Sequence, residues 1–386
     1  MMQFNKKTFI ALTTLTTLAS CSMMSDDLED CPQGLSVEFV YDYNVERANM
    51  FNDHVGSVTL YVYDQAGQLV RTQTEDNTAA SQPLRNPNYR MTVDGLQPGE
   101  YRLVALANQR SYSIISQLPG VRYLRNGENG SMSNLNVTLA NQPGQQAATA
   151  ITQSLDTLWH GTLRSAQYTQ NPITRANAPE MVAAQTVTVR QHEMTKCVVS
   201  LVRDTKRLHI SLRQGDDPAH CDIADYDITI VDRNGHLLWD NTVDTAEGTP
   251  DVTYQPFAKW NTYYSRTTAQ SYDERPANDD NVEETAHADI DFNRLMLRMG
   301  DSTVNPALLN IVHRPSGKTV ATINLPEILS QGRGAFERQN YSAQEFLDRA
   351  YDYRLDFILV GAQWSYILLE IHNLPWSKRF QNVTLE

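Results

Sequence analysis

From Leu35 onward, apolar and polar residues alternate with a period of two. "LSVEFVYDY" (35–43) opens the pattern, and "SVTLYVYD" (57–64) sets Val58, Leu60 and Val62 against Thr59, Tyr61 and Tyr63. Such alternation, rich in β-branched and aromatic residues, predicts a half-buried strand. Asp64-Gln65-Ala66-Gly67 reads as a turn before "QLVRTQ" resumes the pattern, so the two segments predict a hairpin. "YRMTVDGLQPGEYRLVALAN" (89–108) supplies strands on either side of Pro98-Gly99, and "NLNVTLA" (134–140) a closing one. Short strands punctuated by turns predict a β-sandwich over residues 35–145.

The period is lost over residues 146–184, where "QNPITRANAPE" carries prolines and no apolar repeat. This stretch is expected to connect two domains. Leu158-Trp159-His160 is the part expected to pack, because a tryptophan carries a large apolar area. Alternation returns in "QTVTVR", "KCVVSLVRD", "RLHISLR" and "DYDITIVDRNGHLLWDN" (225–241), and predicts a second sandwich over residues 185–386. "TLYVYDQAGQLV" and "DITIVDRNGHLL" share a spacing: Asp64, Gly67 and Leu69 correspond to Asp232, Gly235 and Leu237. The repeat favours two domains of one type over a single large barrel. Residues 273–289 are dense in acids without an apolar period and read as a solvated loop. Pro326 to Leu329 predicts a short helix. So does "SAQEFLDRAYD" (342–352), with Ser342 as N-cap and Glu345 three residues later. "RLDFILVG" and "SYILLEIHNL" predict a last hairpin around Gln363-Trp364, and "FQNVTLE" a final short strand. The expected fold is all-β, two sandwich domains in tandem with few short helices.

Ahead of the strands, Lys6 and Lys7 precede an apolar or hydroxylated run from Thr8 to Leu18. The run is shorter than the roughly 20 apolar residues of a permanent membrane helix, and its layout is that of a secretory signal over residues 1–20. Leu18-Ala19-Ser20-Cys21 resembles the lipobox of bacterial lipoproteins. That resemblance implies cleavage before Cys21, lipid attachment through its thiol and acylation of the new amino group. Three acyl chains satisfy the need for more than one lipid in stable attachment. Residues 21–34, polar and acidic and ending in Pro32-Gln33-Gly34, then form a lipidated tether.

The length of 386 residues suits two domains of ordinary size, and no second apolar stretch reaches membrane-spanning length. The formal charge of −13, without a basic block, argues against nucleic acid as a partner. Four cysteines occur: Cys21, Cys31, Cys197 and Cys221. In an exported protein Cys197 and Cys221 have the chance to pair, leaving Cys31 free, but connectivity is not a property of the sequence. No C-x-x-C is present. His192-Glu193 lacks a second histidine at metalloprotease spacing, and there is no G-x-S-x-G, P-loop or dinucleotide fingerprint. "DRNG" (232–235) lacks the acid a calcium loop needs at its twelfth position, where Val243 stands. His209 and His313 lie in strand patterns and read as structural. No enzyme, metal or cofactor is expected.

The clearest resemblance lies at the two ends. "CPQGLSVEFVYDYNVERANMFNDHVGSVTLYVYDQAGQLV" (31–70) and "EFLDRAYDYRLDFILVGAQWSYILLEIHNLPWSKR" (345–379) resemble the fimbrial anchor-subunit family of Bacteroidales, the FimB-like minor fimbrium anchoring proteins. "LQPGEYRLVALAN" (96–108) is also similar, as are the tryptophans of the closing strand pair, Trp364 and Trp376. Asn373-Leu374-Pro375 departs from the family's usual glycine or asparagine-glycine before the last tryptophan. The resemblance implies transthyretin-like sandwiches and a structural lipoprotein held on the outer membrane through Cys21. It implies that the protein anchors a fimbrium, limits filament length, and contacts the major fimbrial subunit or an adjacent pilin by strand addition. The alternative is a surface glycan-binding lipoprotein of a polysaccharide-utilisation system, which calls for exposed aromatics. Asp156-Thr157-Leu158, Asp244-Thr245-Ala246 and Asp301-Ser302-Thr303 also fit a short O-glycosylation pattern of Bacteroidales.

Overall fold

The computed structural model describes residues 32–164, 185–298, 304–361, 363–371 and 377–381. Cys21, Cys31, Asp301-Ser302-Thr303, Trp376 and most of the tether lie outside the described residues.

The chain begins with β1 (Gly34–Val40), a short helix α1 (Phe51–His54), β2 (Ser57–Asp64), β3 (Leu69–Asp76), β4 (Met91–Asp94) and β5 (Gly99–Asn108). Next come α2 (Tyr112–Ile115), β6 (Arg122–Asn126), β7 (Asn136–Ala140), β8 (Ala150–Ile151), β9 (Leu158–Leu163), β10 (Val187–Val189) and β11 (Met194–Arg203). Most of these build one sheet in the order β3-β2-β5-β9-β11-β1-β4, with β10 beside the start of β5. Its one parallel pair is β1 with β11, in register from Gly34↔Met194 to Val40↔Ser200.

The second half holds β12 (Lys206–Gln214), β13 (Tyr226–Asp232), β14 (His236–Leu238), β15 (Val252–Tyr254), β16 (Ala258–Ser265), β17 (Gln270–Tyr272) and β18 (Val282–Phe292). It continues with β19 (Leu308–His313), β20 (Lys318–Asn324), α3 (Leu325–Ser330), α4 (Ala335–Asn340), α5 (Ala343–Arg349), β21 (Asp352–Val360), β22 (Gln363–Ile371) and β23 (Ser377–Gln381). A seven-stranded sheet, β17-β16-β18-β12-β21-β22-β23, faces a five-stranded one, β20-β19-β13-β15-β8. Leu208, Ile210, Ile290 and Leu355 from the first meet Ile228, Ile230, Leu309 and Ile311 from the second in one core. The fold is all-β with short helices, as the alternation predicts. The predicted N-cap holds too: the Ser342 side chain accepts from Glu345 N at 3.1 Å.

Four expectations are corrected. The first concerns β2, expected to be half-buried. Val58, Leu60 and Val62 pack under Phe51, Val55 and Leu84, while Tyr61 and Tyr63 are buried against Tyr123, Val137 and Leu139 of β6 and β7. A strand with a layer on each face has no solvent side, and alternation between Val and Tyr does not reveal that.

The second is the domain boundary. Residues 185–203 were expected in the C-terminal sandwich. Instead β10 pairs with β5 and β11 lies between β9 and β1, so the chain leaves the first sheet only at Asp204. The expected connection contains β8 and β9, and Trp159 is fully buried in it. The third is the repeated hairpin. Asp64 closes the β2–β3 turn by accepting Gln68 N at 2.8 Å, and Gly67 takes φ 79° there. After Asp232 the chain does not turn back. β14 crosses to pair with β7 of the first half, and β8 from the first half pairs with β15. Gly235 is needed for closeness, because a Cβ there would meet Ala147 and Val252 at 2.7 Å. The halves are therefore laced together by exchanged strands, not strung in simple tandem.

The fourth is the acid-dense loop, which ends at 281. From Val282 the chain is β18, with Glu284 turned inward to accept Cys221 N at 3.1 Å. Cys197 sits on β11 of the first sheet and Cys221 against Leu212 O in the second half, and both are free thiols. Burial pushes the Cys197 thiol up to about 12 and the Cys221 thiol up to about 11.

On β12, His209 lies between two strands' carboxylates, with Nδ1 2.6 Å from Asp289 and Nε2 3.1 Å from Asp352. Hydrogen bonds to Asp289 and then Asp352 raise its pKa to about 9. An unfolded histidine titrates near about 6.5. The folded value is raised, so this stabilisation is complete below that pH and is lost as pH climbs through the folded value. Urea unfolding from pH 6.5 to 9.5 should show stability falling by about 1–2 kcal/mol, a figure discounted for the partly exposed ring. His209→Gln should flatten this slope.

Candidate functional site

The two terminal segments that carry the family resemblance meet in space. As β1 ends, Tyr41 is buried with its ring edge-on to Trp159 at 5.8 Å, and Asp42 pairs with Arg164 at 2.5 Å. Asn44 pins the following bend by donating to Tyr41 O at 2.9 Å and Ala48 O at 2.8 Å. From the other end of the chain, α5 brings Glu345, Asp348 and Arg349. The Arg349 guanidinium lies 4.1 Å over the Tyr43 ring, bonds Glu345 at 3.0 Å and donates to Asn44 O at 3.4 Å. Tyr351 OH donates to Glu46 at 2.8 Å, and Arg47 stacks on Phe336 of α4 at 4.0 Å.

Behind this clamp is a buried ionic seam where the chain passes from β11 to β12. Lys206 is fully buried and its Nζ donates to the carbonyls of Asp348 and Ala350, both at 2.8 Å. Arg294 forms a two-pronged pair with Asp348 at 2.7 and 2.8 Å and donates to Asn241 O. Asn241 in turn donates to Asp204 at 2.9 Å. Thr205 bridges to the first half by accepting Leu158 N at 3.0 Å and donating to Asp156 O at 3.1 Å. Burial pushes the Lys206 ammonium down and the Asp204 carboxyl up from their ordinary values. Nearby, His160 donates from Nε2 to Trp239 O at 2.7 Å, and burial drives its pKa down to about 4, so the ring is neutral.

This arrangement ties the two ends of the chain and the two halves together through buried bonds. No group of three or more His, Cys, Asp or Glu among the described residues is placed to hold a metal ion. In the loop expected to be solvated, Asp279 is engaged by Ser265, by Thr267 at 3.0 Å and by Asn281 N at 3.0 Å.

A partner strand needs an open sheet edge. Among the described residues β3 ends the first sheet, pairs with β2 alone and leaves Val70 exposed. β16 is paired along its whole length with β18, but on its other side β17 covers only Tyr263 to Ser265. Trp260 and Tyr264 are exposed on one face of β16, and Trp260 stacks on His287 at 5.1 Å. His287 is held by Thr262 at 2.8 Å. Of the two O-glycosylation patterns within the described residues, Thr157 is buried and Thr245 is exposed.

The seam was not foreseen. Asp204 closes the strand pattern "KCVVSLVRD", Lys206 and Arg294 sit in ordinary strand-flanking sequence, and only Asp348 and Arg349 belong to the segments that carry the family resemblance. The one available signal was the buried-strand context of "VRDTKRL".

The comparisons with known proteins agree with this architecture. The family model described as fimbrillin-A associated anchor proteins Mfa1 and Mfa2 matches residues 28–382. A candidate polysaccharide-binding protein from Bacteroides thetaiotaomicron is 26% identical with a TM-score of 0.64, over 91% of this chain and 99% of that one. A candidate adhesin from the same organism is 24% identical with a TM-score of 0.65, over 90% and 98%. The fimbrial anchor protein Mfa2 from Porphyromonas gingivalis is 17% identical with a TM-score of 0.52, over 90% and 99%. No curated protein matches the chain.

Removing one side of the seam leaves an uncompensated buried charge. Arg294→Met should therefore cost about 3 kcal/mol in urea unfolding. The exposed pair Arg266–Glu283 is the control, and Arg266→Met should cost less than about 0.5 kcal/mol.

Proposed function

The chain belongs to the family of fimbrillin-A associated anchor proteins, and from that premise we propose that it is a lipid-tethered base for a fimbrium on the outer membrane. Cys21 carries the lipid. A pilin contacts the body by adding a strand to an open edge, and the anchored base limits filament length. The sandwiches are read as transthyretin-like. The role is structural and uses no catalytic group.

The observation that carries this reading is a continuous path for tension through the fold. A pull from the membrane side reaches β1 first. β1 is not an edge strand: it lies between β4 and β11, in register with β11 over seven residue pairs. Force along such a strand loads many ladder bonds together instead of peeling them singly. From β11 the chain passes through Asp204 and Thr205 into β12, which is paired in parallel with β21 over eight residue pairs. The seam and the Arg349 clamp lock that passage from both sides. A filament base transmitting load to a lipid needs this kind of path.

A second reading, glycan binding at the cell surface, is favoured by one observation: Trp260 and Tyr264 are exposed on one face of β16. Trp260→Ala would abolish glycan retention on that reading.

Cells lacking the chain should shed fimbriae or carry longer ones, seen by shearing and measuring filament length. Unchanged filaments would sink the anchor reading. Cys21→Ala should move the protein from the membrane fraction to the soluble one without acyl label. A variant still acylated and membrane-bound would remove the lipid assignment.

A further inference from the structure

A cleft of about 450 Å³ lies where the laced strands β7 and β14 meet two loops, 144–147 from the first half and 244–250 from the second. Its size is within the range of small-molecule sites. The floor is pre-set. Asn126 Nδ2 donates to Asn136 Oδ1 at 2.9 Å and to Thr138 Oγ1 at 3.2 Å, and its Oδ1 accepts Gly144 N at 2.9 Å. One wall is fixed by His236, whose Nδ1 is 2.9 Å from Asp244. Asp244 also accepts Ala246 N at 3.0 Å. Burial pushes this carboxyl up, but the Ala246 N–H and His236 outweigh it and hold it below the usual carboxylate range. Nδ1 therefore faces a carboxylate and donates to it, which leaves Nε2 free of that bond. Gln145, Gln146 and Glu247 stand exposed at the rim as longer, adaptable polar arms.

The lining limits what can bind. It contains no lysine, arginine, phenylalanine, tyrosine or tryptophan, while Asp244 and Glu247 are acidic. A phosphate or a fatty-acid carboxylate would face the like charge of Asp244 and Glu247 with no lysine or arginine to offset it, and a large flat aromatic ligand would find only the small His236 ring. Amides, hydroxyls, an imidazole and carboxylates together match groups that both donate and accept, which is the chemistry of sugar hydroxyls. We propose that this cleft binds a neutral saccharide across the two halves of the molecule. It shares a ligand class with the second reading above but none of its residues, and it is independent of the anchor reading, so each fails separately.

The test uses the purified full chain on a neutral-glycan array, followed by calorimetric titration with the best-bound glycan, with sorbitol as the control for non-specific exclusion effects. Phosphate and putrescine are titrated alongside. A solvent-open polar cleft should give a Kd of about 1 mM or somewhat tighter. Gln146→Trp fills the exposed rim and should weaken binding at least tenfold with an unchanged urea midpoint, while Trp260→Ala leaves it intact. The proposal is overturned if no neutral glycan binds, if Gln146→Trp has no effect, if Trp260→Ala alone abolishes binding, or if putrescine or phosphate binds in place of the glycan.

Discussion

A lysine taken wholly out of water must be given acceptors from every side, and Lys206 is the residue around which the two halves are set. Its ammonium has no solvent to fall back on, so the carbonyls of Asp348 and Ala350 must be where they are. That requirement fixes the end of α5 against the start of β12. Arg294, Asp348, Asn241 and Asp204 add opposite charges and dipoles around it. Apolar surfaces slide over each other at small cost, whereas a buried charge network does not. The seam therefore sets orientation more than it adds net stability.

The lacing of strands follows the same logic at a larger scale. β14 and β8 each leave their own half to complete a sheet in the other, so neither half has a finished core alone. Val137 and Leu139 share a hydrophobic cluster with Leu237 and Val252, and that cluster continues to Leu355 and Ile367. A molecule joined by one flexible linker would swing under load. One joined by paired strands, a shared core and a charged seam behaves as a single body, which suits a fixed attachment point better than a mobile recruiter. Among the described residues β3 ends its sheet and β17 covers only part of β16, and unpaired backbone groups at such edges are a natural template for another strand.

Much of this was legible in the sequence. Period-two alternation located most strands, and Ser342 marked the start of α5 through its own capping bond. Leu18-Ala19-Ser20-Cys21 and the terminal motifs carried the family resemblance. Reading failed where two unlike environments share one pattern. Tyr61 and Tyr63 alternate with valines whether their face meets water or a second sheet. "DQAG" and "DRNG" look alike, yet one closes a hairpin and the other lets the chain cross to a different sheet. Cys197 and Cys221 look available to each other in sequence but lie in different halves of the molecule.

The sequence by itself determined the local choices: strand or turn, helix start, acidic charge and the absence of familiar catalytic motifs. These follow from side-chain periodicity and backbone preference, which act over a few residues. Tertiary structure alone decided which strands became neighbours, where one half hands over to the other, and that Lys206, Arg294 and Asp348 would share a buried site. The physical reason is that strand pairing and charge burial join residues far apart in the chain. Their free energy depends on what is opposite, and no local pattern records it.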